Sequence, residues 1–399
     1  MNDSLMSESS PTLTSNKFPK KLVLIGGGHS HAIALRLWGL NPLPDVNLVL
    51  ISDVEQTPYS GMLPAHIAGF YSYAETHIDL RRLAKFAGAE LIIDRAIGLD
   101  LDNNKIICQS GRQVEFDLLS LDIGSTPQTI TVPGAKEYAV AAKPVPEFLD
   151  AWYKLKQQAQ SHPAQSLSIV IVGGGAGGVE LALNMQACLQ EILDKPRENL
   201  QIHLIHRGDR LLSGHNDWVS NKLEKILLQR GIKLYLEQEV ERVSSDLVEC
   251  KSGLRIDCDK PNGMASLRVF WVTQATAPPW IKQSSLTTDE AGFVLVTDTL
   301  QSVSHPQVFA AGDIATMSDY QRPKAGVFAV RQGKPLFHNW QQILTDKPLE
   351  KYTPQSKYLA LIGTGDKKAI ASWDKFGWQS GLLWTLKDYI DRKFMNQFD

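Results

Sequence analysis

Two segments of this chain share one pattern, in which a run of aliphatic residues ends in three glycines and a helix-forming segment follows. The first copy occupies residues 22–31 (LVLIGGGHSH), and the second occupies residues 169–180 (IVIVGGGAGGVE). A strand, a tight glycine turn and a helix N-terminus together present backbone N–H groups that bind the pyrophosphate of a dinucleotide. The pattern therefore predicts two α/β units, each with a dinucleotide site at its glycine turn.

A third signal lies near residue 310, where the sequence VFAAGD ends in Gly312 and Asp313. This signal is of a flavin-binding type. Two dinucleotide sites in one chain predict electron transfer between two dinucleotides, most simply from NAD(P)H to FAD.

The composition narrows the classes of protein that fit this pattern. With 399 residues the chain is long enough for two or three domains. Its net charge of −2 argues against nucleic-acid binding, which needs a basic surface. The four cysteines are too few for a disulfide framework and form no C-x-x-C pair, so we predict no metal site. No apolar run reaches the roughly 20 residues that span a bilayer, and we expect residues 1–17 to be a disordered tail.

The order of predicted elements repeats along the chain. The first copy has a strand, glycine turn and helix over 21–36, then a strand at 47–52, a helix at 77–86, an antiparallel three-stranded insertion within 90–116 and a strand at 117–123. After a helix at 143–160 the order returns, with strands at 168–172, 201–205, 232–236 and 269–273, helices at 177–194 and 217–230, and an antiparallel patch at 239–256. This repetition predicts an α/β fold with two doubly wound, Rossmann-like dinucleotide-binding domains and a C-terminal α+β region.

We expect the chain to return to the first domain near residue 287, because the Gly312-Asp313 signal makes sense only beside the first glycine turn. The predicted FAD-binding domain is therefore discontinuous, with residues 18–142 and 287–348. Residues 143–286 form the predicted NAD(P)-binding domain. Residues 349–399 form the predicted C-terminal region with an amphipathic helix.

The order of these motifs resembles that of the type II NADH dehydrogenases, which are two-dinucleotide-binding-domain flavoproteins. DIGS at residues 122–125 stands where that family has an ATG-like strand end, and the second glycine turn and AAGD follow. A closer similarity is to the NADH-dehydrogenase-like domain fused to selenide, water dikinase, which shares the patterns GGGHSH, PYSGMLP, RPKAGVFAVRQG and WQSGLLW. The resemblance covers nearly everything from residue 21 to residue 398. We therefore expect a stand-alone relative or a detached domain of such a fusion.

The predicted FAD site begins at the first glycine turn. Gly26 and Gly28 allow the backbone to approach the pyrophosphate, and His29 and Ser30 start the helix that follows. Because histidines two positions apart on a helix point away from each other, we expect packing or phosphate contact rather than a metal. His31 replaces the third glycine of the fingerprint, which normally permits close helix–strand packing. We therefore expect the first helix to sit slightly off the sheet or to tilt this side chain outward.

Further FAD contacts are predicted along the same edge. Asp53, which follows the aligned Ser52, is predicted to hold the adenosine ribose, and a solvated turn aspartate is the alternative. The resemblance implies that Asp313 hydrogen-bonds the ribityl chain and that Gly312 gives the flavin room. It also implies that the segment ending at Pro64 passes the flavin edge. The predicted FAD-binding set is completed by Gly124 and Ala325.

The predicted NAD(P)H site surrounds the second turn, which has all three fingerprint glycines, Gly173, Gly175 and Gly178. The resemblance implies that Glu180 lies near the nicotinamide and the flavin, and we predict that it is the catalytic residue. The alternative is an acid in the first helical turn, stabilised by the helix dipole. His206 and Arg207 stand where an NAD-selective site carries an acid, so NADPH is predicted to be accepted. An arginine that only faces water is the alternative.

The resemblance implies a quinone as electron acceptor, because that family ties quinone reduction to a glutamine-rich motif on the helix after AAGD. Here Gly326 and Val327 replace the usual Ala-Gln pair, and Arg331 replaces a later glutamine. A selenium-containing compound is therefore a second candidate acceptor. Disulfide chemistry is not expected, because no cysteine lies in residues 59–64.

Residues 377–398 are predicted to form an amphipathic helix. Its apolar face contains Trp378, Leu382, Leu383, Trp384, Leu386, Tyr389, Ile390 and Phe394. Its polar face contains Lys387, Asp388, Asp391, Arg392 and Lys393. The apolar face is predicted either to lie on a membrane surface or to pack on the flavin domain or a second subunit. Because Asp388 and Asp391 weaken the membrane interpretation, we favour the protein contact.

These features predict an enzyme, an FAD-dependent oxidoreductase that takes hydride from NAD(P)H and passes electrons to a quinone or a selenium-linked acceptor. The alternative is a flavin-binding partner of a selenophosphate-forming kinase with little turnover of its own. We expect a cytoplasmic location, with peripheral membrane contact or a homodimer through the C-terminal helix as open alternatives.

Overall fold

The computed structural model describes residues 19–127, 132–257, 266–273 and 275–399. The tail predicted at residues 1–17 and Cys258 lie outside the described residues. The described chain contains two five-stranded parallel sheets, several small sheets of two or three strands, and a C-terminal region.

The first parallel sheet is built from two separate parts of the chain, residues 20–121 and residues 308–310. Its strand order is Val308–Ala310, Leu118–Leu121, Lys20–Ile25, Val46–Ser52 and Glu90–Ile93. The central strand is buried on both faces, which is why it reads as a continuous aliphatic run. The helices that belong with this sheet are His29–Leu40, Leu80–Ala87 and Gly326–Leu344.

The second parallel sheet repeats the arrangement. Its order is Ala139–Ala141, Ser266–Trp271, Leu167–Val172, Leu200–Ile205 and Lys233–Tyr235. Its helices are Val145–Ser161, Ala176–Gln190 and Asp217–Gln229. Both sheets have their central strand followed by a glycine turn and a helix, so the predicted fold of two doubly wound units is confirmed. The exact domain boundaries stay a prediction.

Each unit carries an antiparallel three-stranded sheet. These are Ala96–Asp100, Lys105–Cys108 and Gln113–Glu115 in one, and Val240–Val243, Leu247–Cys250 and Arg255–Asp257 in the other.

The two-stranded sheets pair Gln56–Pro58 with His77–Asp79, Thr126–Pro127 with Ala275–Thr276, and Val294–Val296 with Ala315–Met317. The remaining short helices are Leu63–Ile67, Tyr73–Thr76, Ala135–Tyr138, Pro196–Asn199, Pro279–Gln283 and the 3₁₀ turn Gly312–Ile314.

The helix predicted at 77–86 is three residues shorter at its start. His77–Asp79 pairs as a strand with Gln56–Pro58, and the helix begins at Leu80. The Asp79 carboxylate accepts hydrogen bonds from the amides of Arg81 and Arg82, which fixes the helix start. Glu90–Ile93 likewise joins the parallel sheet and is not part of the antiparallel insertion.

The C-terminal region is a three-stranded antiparallel sheet followed by a helix. The strands are Ala360–Gly363, Ala369–Trp373 and Phe376–Ser380, and the helix is Gly381–Met395. Trp378, predicted to lie on the helix, is therefore in a strand. Ser380 caps the helix, because its Oγ accepts from the amide of Leu382.

The single apolar face predicted for this helix is wrong, because the apolar residues divide between two faces. The inner face is buried against the rest of the chain and contains Leu383, Trp384, Phe394 and Met395. The outer face is exposed and contains Leu382, Leu386, Tyr389 and Ile390. Lys387 and Asp391, predicted to be on the polar face, are only 7% and 5% exposed. Their charges are paired at 2.6 Å, and Lys387 Nζ also donates to the carbonyl of Gly61 at 2.6 Å.

Candidate functional site

A cavity of about 580 Å³ opens at the carboxyl ends of the strands in the first sheet. Such strand ends are where open α/β sheets bind ligands. Seven of the predicted FAD-site residues line it, namely Gly26, Gly28, His29, Ser52, Asp53, Gly124 and Asp313. Residues that are distant in sequence, from both predicted segments of the first domain, therefore meet around one space.

The first glycine turn, residues 26–28, forms a cradle at this cavity. Gly26 has a φ of 89°, which only glycine adopts readily. A Cβ on Gly28 would overlap the carboxylate of Asp122. The turn therefore brings backbone close to the cavity at positions where a side chain would not fit.

Asp313 is held by a polar cluster inside the cavity. Its Oδ2 accepts from Lys143 Nζ at 2.8 Å and from Ser125 Oγ at 3.2 Å. Burial opposes its ionisation, but the charge and hydrogen bonds of Lys143 and Ser125 outweigh burial and lower the pKa of Asp313. The carboxylate therefore stays charged and can accept hydrogen bonds from a ligand hydroxyl.

A smaller pocket of about 30 Å³ adjoins the cavity and shares Asp313 with it. Gly312 and Ala325, both predicted to contact FAD, line this smaller pocket. Lys324 also lines it, and its ammonium donates to the carbonyl of Ala315 at 2.6 Å and lies 3.9 Å from the centre of the Phe293 ring. Burial lowers the pKa of Lys324 to about 8.

At the other end of the cavity, Asp53 is exposed and paired with Arg95. The Asp53 Oδ2 lies 3.0 Å from both Nε and a terminal nitrogen of Arg95. Ser52 is buried, and its Oγ donates to the carbonyl of Val54 at 2.8 Å. Asp53 is therefore an exposed residue of the cavity lining, and its carboxylate is paired with the Arg95 guanidinium. Its contact with the ribose stays a prediction.

Two predicted FAD-site residues, Ser30 and Pro64, line neither the cavity nor the smaller pocket. Ser30 is buried in the first helix, where its Oγ donates to the carbonyl of Ala329 at 2.7 Å. Pro64 is buried within the short helix Leu63–Ile67. His29 does line the cavity, and its ring packs edge-on against Tyr59 and Phe394, at 5.2 and 6.0 Å between ring centres. Burial lowers the pKa of His29.

The expectation that His31 tilts outward is wrong. Its side chain is fully buried, with Nδ1 at 2.6 Å from the carbonyl of Gly26 and Nε2 at 2.8 Å from Ser120 Oγ. Burial lowers the pKa of His31 to about 4, so the ring is neutral. Nδ1–H must then donate to Gly26, and Nε2 accepts from the Ser120 hydroxyl. The ring bridges the glycine turn and the neighbouring strand.

The second glycine turn, residues 173–175, lies in the second sheet with its fingerprint complete. A Cβ on Gly178 would overlap the carbonyl oxygen of Gly173, so the helix approaches the turn closely. The His206 ring turns back into this site, since its Nδ1 accepts from the amide of Gly174 at 3.1 Å. Arg207 is exposed at the end of the strand Leu200–Ile205.

Glu180 lies between the second unit and the C-terminal region. Its Oε1 accepts from the amide of Gly363 at 2.8 Å. Burial raises the pKa of Glu180 to about 7, and the nearby ammonium of Lys387 opposes that rise. The carboxyl group can therefore hold or release a proton near neutral pH, although it does not line the large cavity.

Sequence reasoning missed several polar residues of the cavity, among them Asp122, Ser125 and Lys143. Asp122 and Ser125 directly follow the strand Leu118–Leu121, and Lys143 follows the strand Ala139–Ala141. The rule that ligands bind at the carboxyl ends of parallel strands could have found all three.

Known proteins share the sequence family and the fold of this chain. The family model described as pyridine nucleotide-disulphide oxidoreductase matches residues 14–333. The NADH dehydrogenase-like protein YutJ of Bacillus subtilis (strain 168) is 22% identical over 379 residues, covering 93% of this chain and 99% of the relative. The external alternative NAD(P)H-ubiquinone oxidoreductase B4, mitochondrial, of Arabidopsis thaliana is 27% identical over 327 residues, covering 75% and 55%. The structure of NDH2 from Plasmodium falciparum in complex with NADH aligns with a TM-score of 0.78 at 14% identity, covering 95% of this chain and 97% of that one.

Proposed function

Because the chain belongs to the pyridine nucleotide-disulphide oxidoreductase family, it is an NAD(P)H-dependent flavoprotein oxidoreductase, and we propose that its electron acceptor is a quinone. The net reaction consumes NAD(P)H, a proton and the quinone, and yields NAD(P)⁺ and the quinol. FAD, when bound, would supply the two-electron redox chemistry, while the protein supplies binding and electrostatics.

The large cavity carries the assignment of the FAD site. A dinucleotide needs close backbone approach and hydrogen-bond acceptors for its hydroxyl groups, and the cavity combines the glycine cradle with the charged carboxylate of Asp313. We infer that Gly26 and Gly28 flank the pyrophosphate and that Asp313 accepts from the ribityl hydroxyls. The adjoining Gly312 and Ala325 leave room for the ring.

We assign NAD(P)H to the second glycine turn. Gly173, Gly175 and Gly178 supply the close approach for its pyrophosphate. The exposed guanidinium of Arg207 is suited to pair with a 2′-phosphate, so NADPH is expected to react at least as fast as NADH. Glu180 is proposed to lie by the nicotinamide, where its raised pKa allows it to hold a proton at the carboxyl group.

The quinone proposal is supported by the relatives and weakened by the sequence of one helix. The Arabidopsis relative is named for ubiquinone reduction. Gly326, Val327 and Arg331 depart from the glutamine-rich motif that accompanies quinone reduction in type II NADH dehydrogenases. A selenium-linked acceptor, or a role as a flavin-binding partner in selenophosphate synthesis, rests only on the resemblance to the kinase-fused domain, so we rank it second.

The protein contact favoured from the sequence is made by the inner face of the C-terminal helix, and its Asp391 is buried, so the exposed outer face is proposed to contact a membrane surface, where a lipid-soluble quinone would be found. Leu382 is 80% exposed and Tyr389 is 61% exposed, and the neighbouring Phe376 is 70% exposed. Exposed apolar patches of this kind mark interaction surfaces. The exposed Lys393 places its Nζ 5.9 Å from the centre of the Tyr389 ring, and the exposed Lys375 precedes Phe376 in the chain, so both can bind anionic headgroups. None of the helices in the described part of the chain is long and apolar enough to cross a bilayer.

Anaerobic stopped-flow spectroscopy on the FAD-loaded protein tests the reaction. NADPH and NADH should each bleach the flavin, and a short-chain benzoquinone should then restore its absorbance faster than selenite or buffer. Arg207→Glu should shift the preference toward NADH. If neither nucleotide bleaches the flavin, the dehydrogenase assignment fails, and if quinone reoxidises it no faster than buffer, the acceptor is wrong.

The membrane contact is measured in the same preparation by flotation with anionic liposomes. Wild type should float, and Leu382→Glu/Ile390→Glu should not. Leu40→Glu is the matched control, because Leu40 is 53% exposed on another helix. A wild-type protein that stays dimeric in gel filtration and ignores the liposomes would instead assign this face to a second copy of the chain.

A further inference from the structure

One buried carboxyl group in the FAD cavity has no role in the assignments above. Asp122 follows the strand Leu118–Leu121, is 3% exposed and lines the cavity. Its backbone carbonyl accepts from the amide of Gly28 at 3.1 Å, and its Oδ2 accepts from the amide of His31 at 3.0 Å. The side chain therefore sits at the N-terminus of the helix His29–Leu40, against the first glycine turn.

The Asp122 carboxylate also packs against the glycines of the predicted FAD site. A Cβ on Gly28 or on Gly312 would overlap its carboxylate, so two of the glycines of the predicted FAD site lie directly against it. Burial raises the pKa of Asp122 to about 7, and the negative charge of Asp313 adds to the rise.

The lysine and histidine side chains near Asp122 form their hydrogen bonds and ion pairs with other groups. Lys143 pairs with Asp313 at 2.8 Å, and Lys324 donates to Ala315 and Thr316. The neutral ring of His31 bonds Gly26 and Ser120, and the pKa of His29 is lowered. In the described structure, the charge of Asp122 is thus stabilised by hydrogen bonds from Ser30 and His31 at the helix N-terminus.

Those amides are also the groups that bind phosphate at a helix N-terminus. A diphosphate that enters this cradle brings negative charge beside a buried carboxylate, and two buried like charges cannot both be kept without cost. The carboxylate and the diphosphate would therefore place two negative charges at the same helix N-terminus. Protonation of Asp122 removes the repulsion and leaves one of its oxygens free to accept from His31.

We propose that capture of FAD takes up one proton at Asp122, so that the affinity for FAD falls as the pH rises above neutral. The inference rests on FAD binding in this cavity. Ionised Asp122, one proton and free FAD give the complex with neutral Asp122. No electron transfer is involved, so apoprotein and oxidised FAD suffice for the test.

Calorimetric titration of apoprotein with FAD counts the protons. FAD itself does not titrate between pH 6.5 and 8.5, so binding enthalpies in phosphate and in Tris buffer at pH 8 report uptake by the protein. We expect close to one proton per FAD. The dissociation constant should rise about tenfold for each pH unit above 7.

Asp122→Asn keeps the acceptor for His31 but cannot titrate. It should bind FAD with no net proton uptake, with a flat pH profile, and at least tenfold more tightly than wild type at pH 8.5. Asp117→Asn is the control, because Asp117 precedes the same strand, bonds the amide of Lys21 and does not line the cavity. It should keep the wild-type slope.

Two results would overturn the inference: wild type binds FAD without proton uptake, or Asp122→Asn retains the wild-type slope. The wild-type count does not depend on the variant folding. Failure of FAD to bind at any pH would instead refute the proposed FAD site, so the two failures are distinguishable.

Discussion

The two glycine turns each follow the central strand of their own sheet and precede a helix, yet the contact between helix and turn differs. In the second turn, Gly178 lies so close to the Gly173 carbonyl that no side chain fits. In the first turn, the equivalent position is His31, and its ring donates to the Gly26 carbonyl at 2.6 Å. One turn is closed by bare backbone contact, and the other by a buried side-chain hydrogen bond.

The difference shows what the third fingerprint glycine does. It is required where the helix touches the turn, and it can be replaced where a side chain bonds the turn carbonyl instead. His31 also needs a partner on the next strand, which Ser120 provides at 2.8 Å. The replacement is thus a set of contacts and not a single substitution.

The largest effect is expected from Gly178→Ala. The added methyl group would collide with backbone, which yields less than a side chain, so we expect a loss of about 3 kcal/mol or more in the free energy of unfolding. Misplacement of the turn should also slow flavin reduction by NADPH about a hundredfold. Gly177→Ala is the matched control, because its Cβ would meet Val272 at an ordinary 3.4 Å. Equal behaviour of the two variants in denaturant titration would refute close packing here.

A smaller loss is expected from His31→Gly, which restores the fingerprint glycine. The change leaves the Gly26 carbonyl and the Ser120 hydroxyl without their partner and opens a cavity, which together cost roughly 2–3 kcal/mol. Urea unfolding of the two proteins measures this difference. A variant as stable as wild type would mean that the glycine, and not the ring, is the natural closure of this turn.

The smallest effect is a pH dependence. The pKa of His31 is about 4 in the folded protein, against 6.5 for an exposed histidine, so the unfolded chain binds more protons between these values. The contribution of the neutral ring is present above pH 6.5 and is lost as the pH falls, by roughly 2 kcal/mol at pH 5. His31→Gln should therefore lose less stability than wild type between pH 7 and pH 5 in urea unfolding. Parallel losses would place the titration on other histidines.

Much of the fold was predictable because its central strands are buried on both faces and read as aliphatic runs. The errors lie where a distant partner overrides the local pattern. His77–Asp79 directly precedes a helix in the sequence, but it pairs as a strand with Gln56–Pro58. The Asp79 cap before Leu80 was the available signal for the true helix start.

The lining of the large cavity could be predicted where glycines and strand ends mark it, as at Gly26 and Gly124. Lys143 was missed because it lies at the start of the segment assigned to the other domain, although its ammonium reaches Asp313.

Helical periodicity did not correctly predict which residues of the C-terminal helix are buried and which are exposed. Lys387 and Asp391 have the spacing of a surface ion pair, and only the Gly61 carbonyl and the Tyr59 hydroxyl show that this pair faces inward.

The inner face of the C-terminal helix supports one wall of the large cavity. Tyr59 donates to Asp391, which is 332 positions later in the chain, and the Tyr59 ring stacks on Phe394 at 4.4 Å. The same two rings pack against His29 of the cavity wall. His29 of the cavity wall is therefore supported by contacts of very long sequence separation, which require the C-terminal helix to be present. FAD is therefore expected to enter a nearly complete protein after synthesis, and not a growing one.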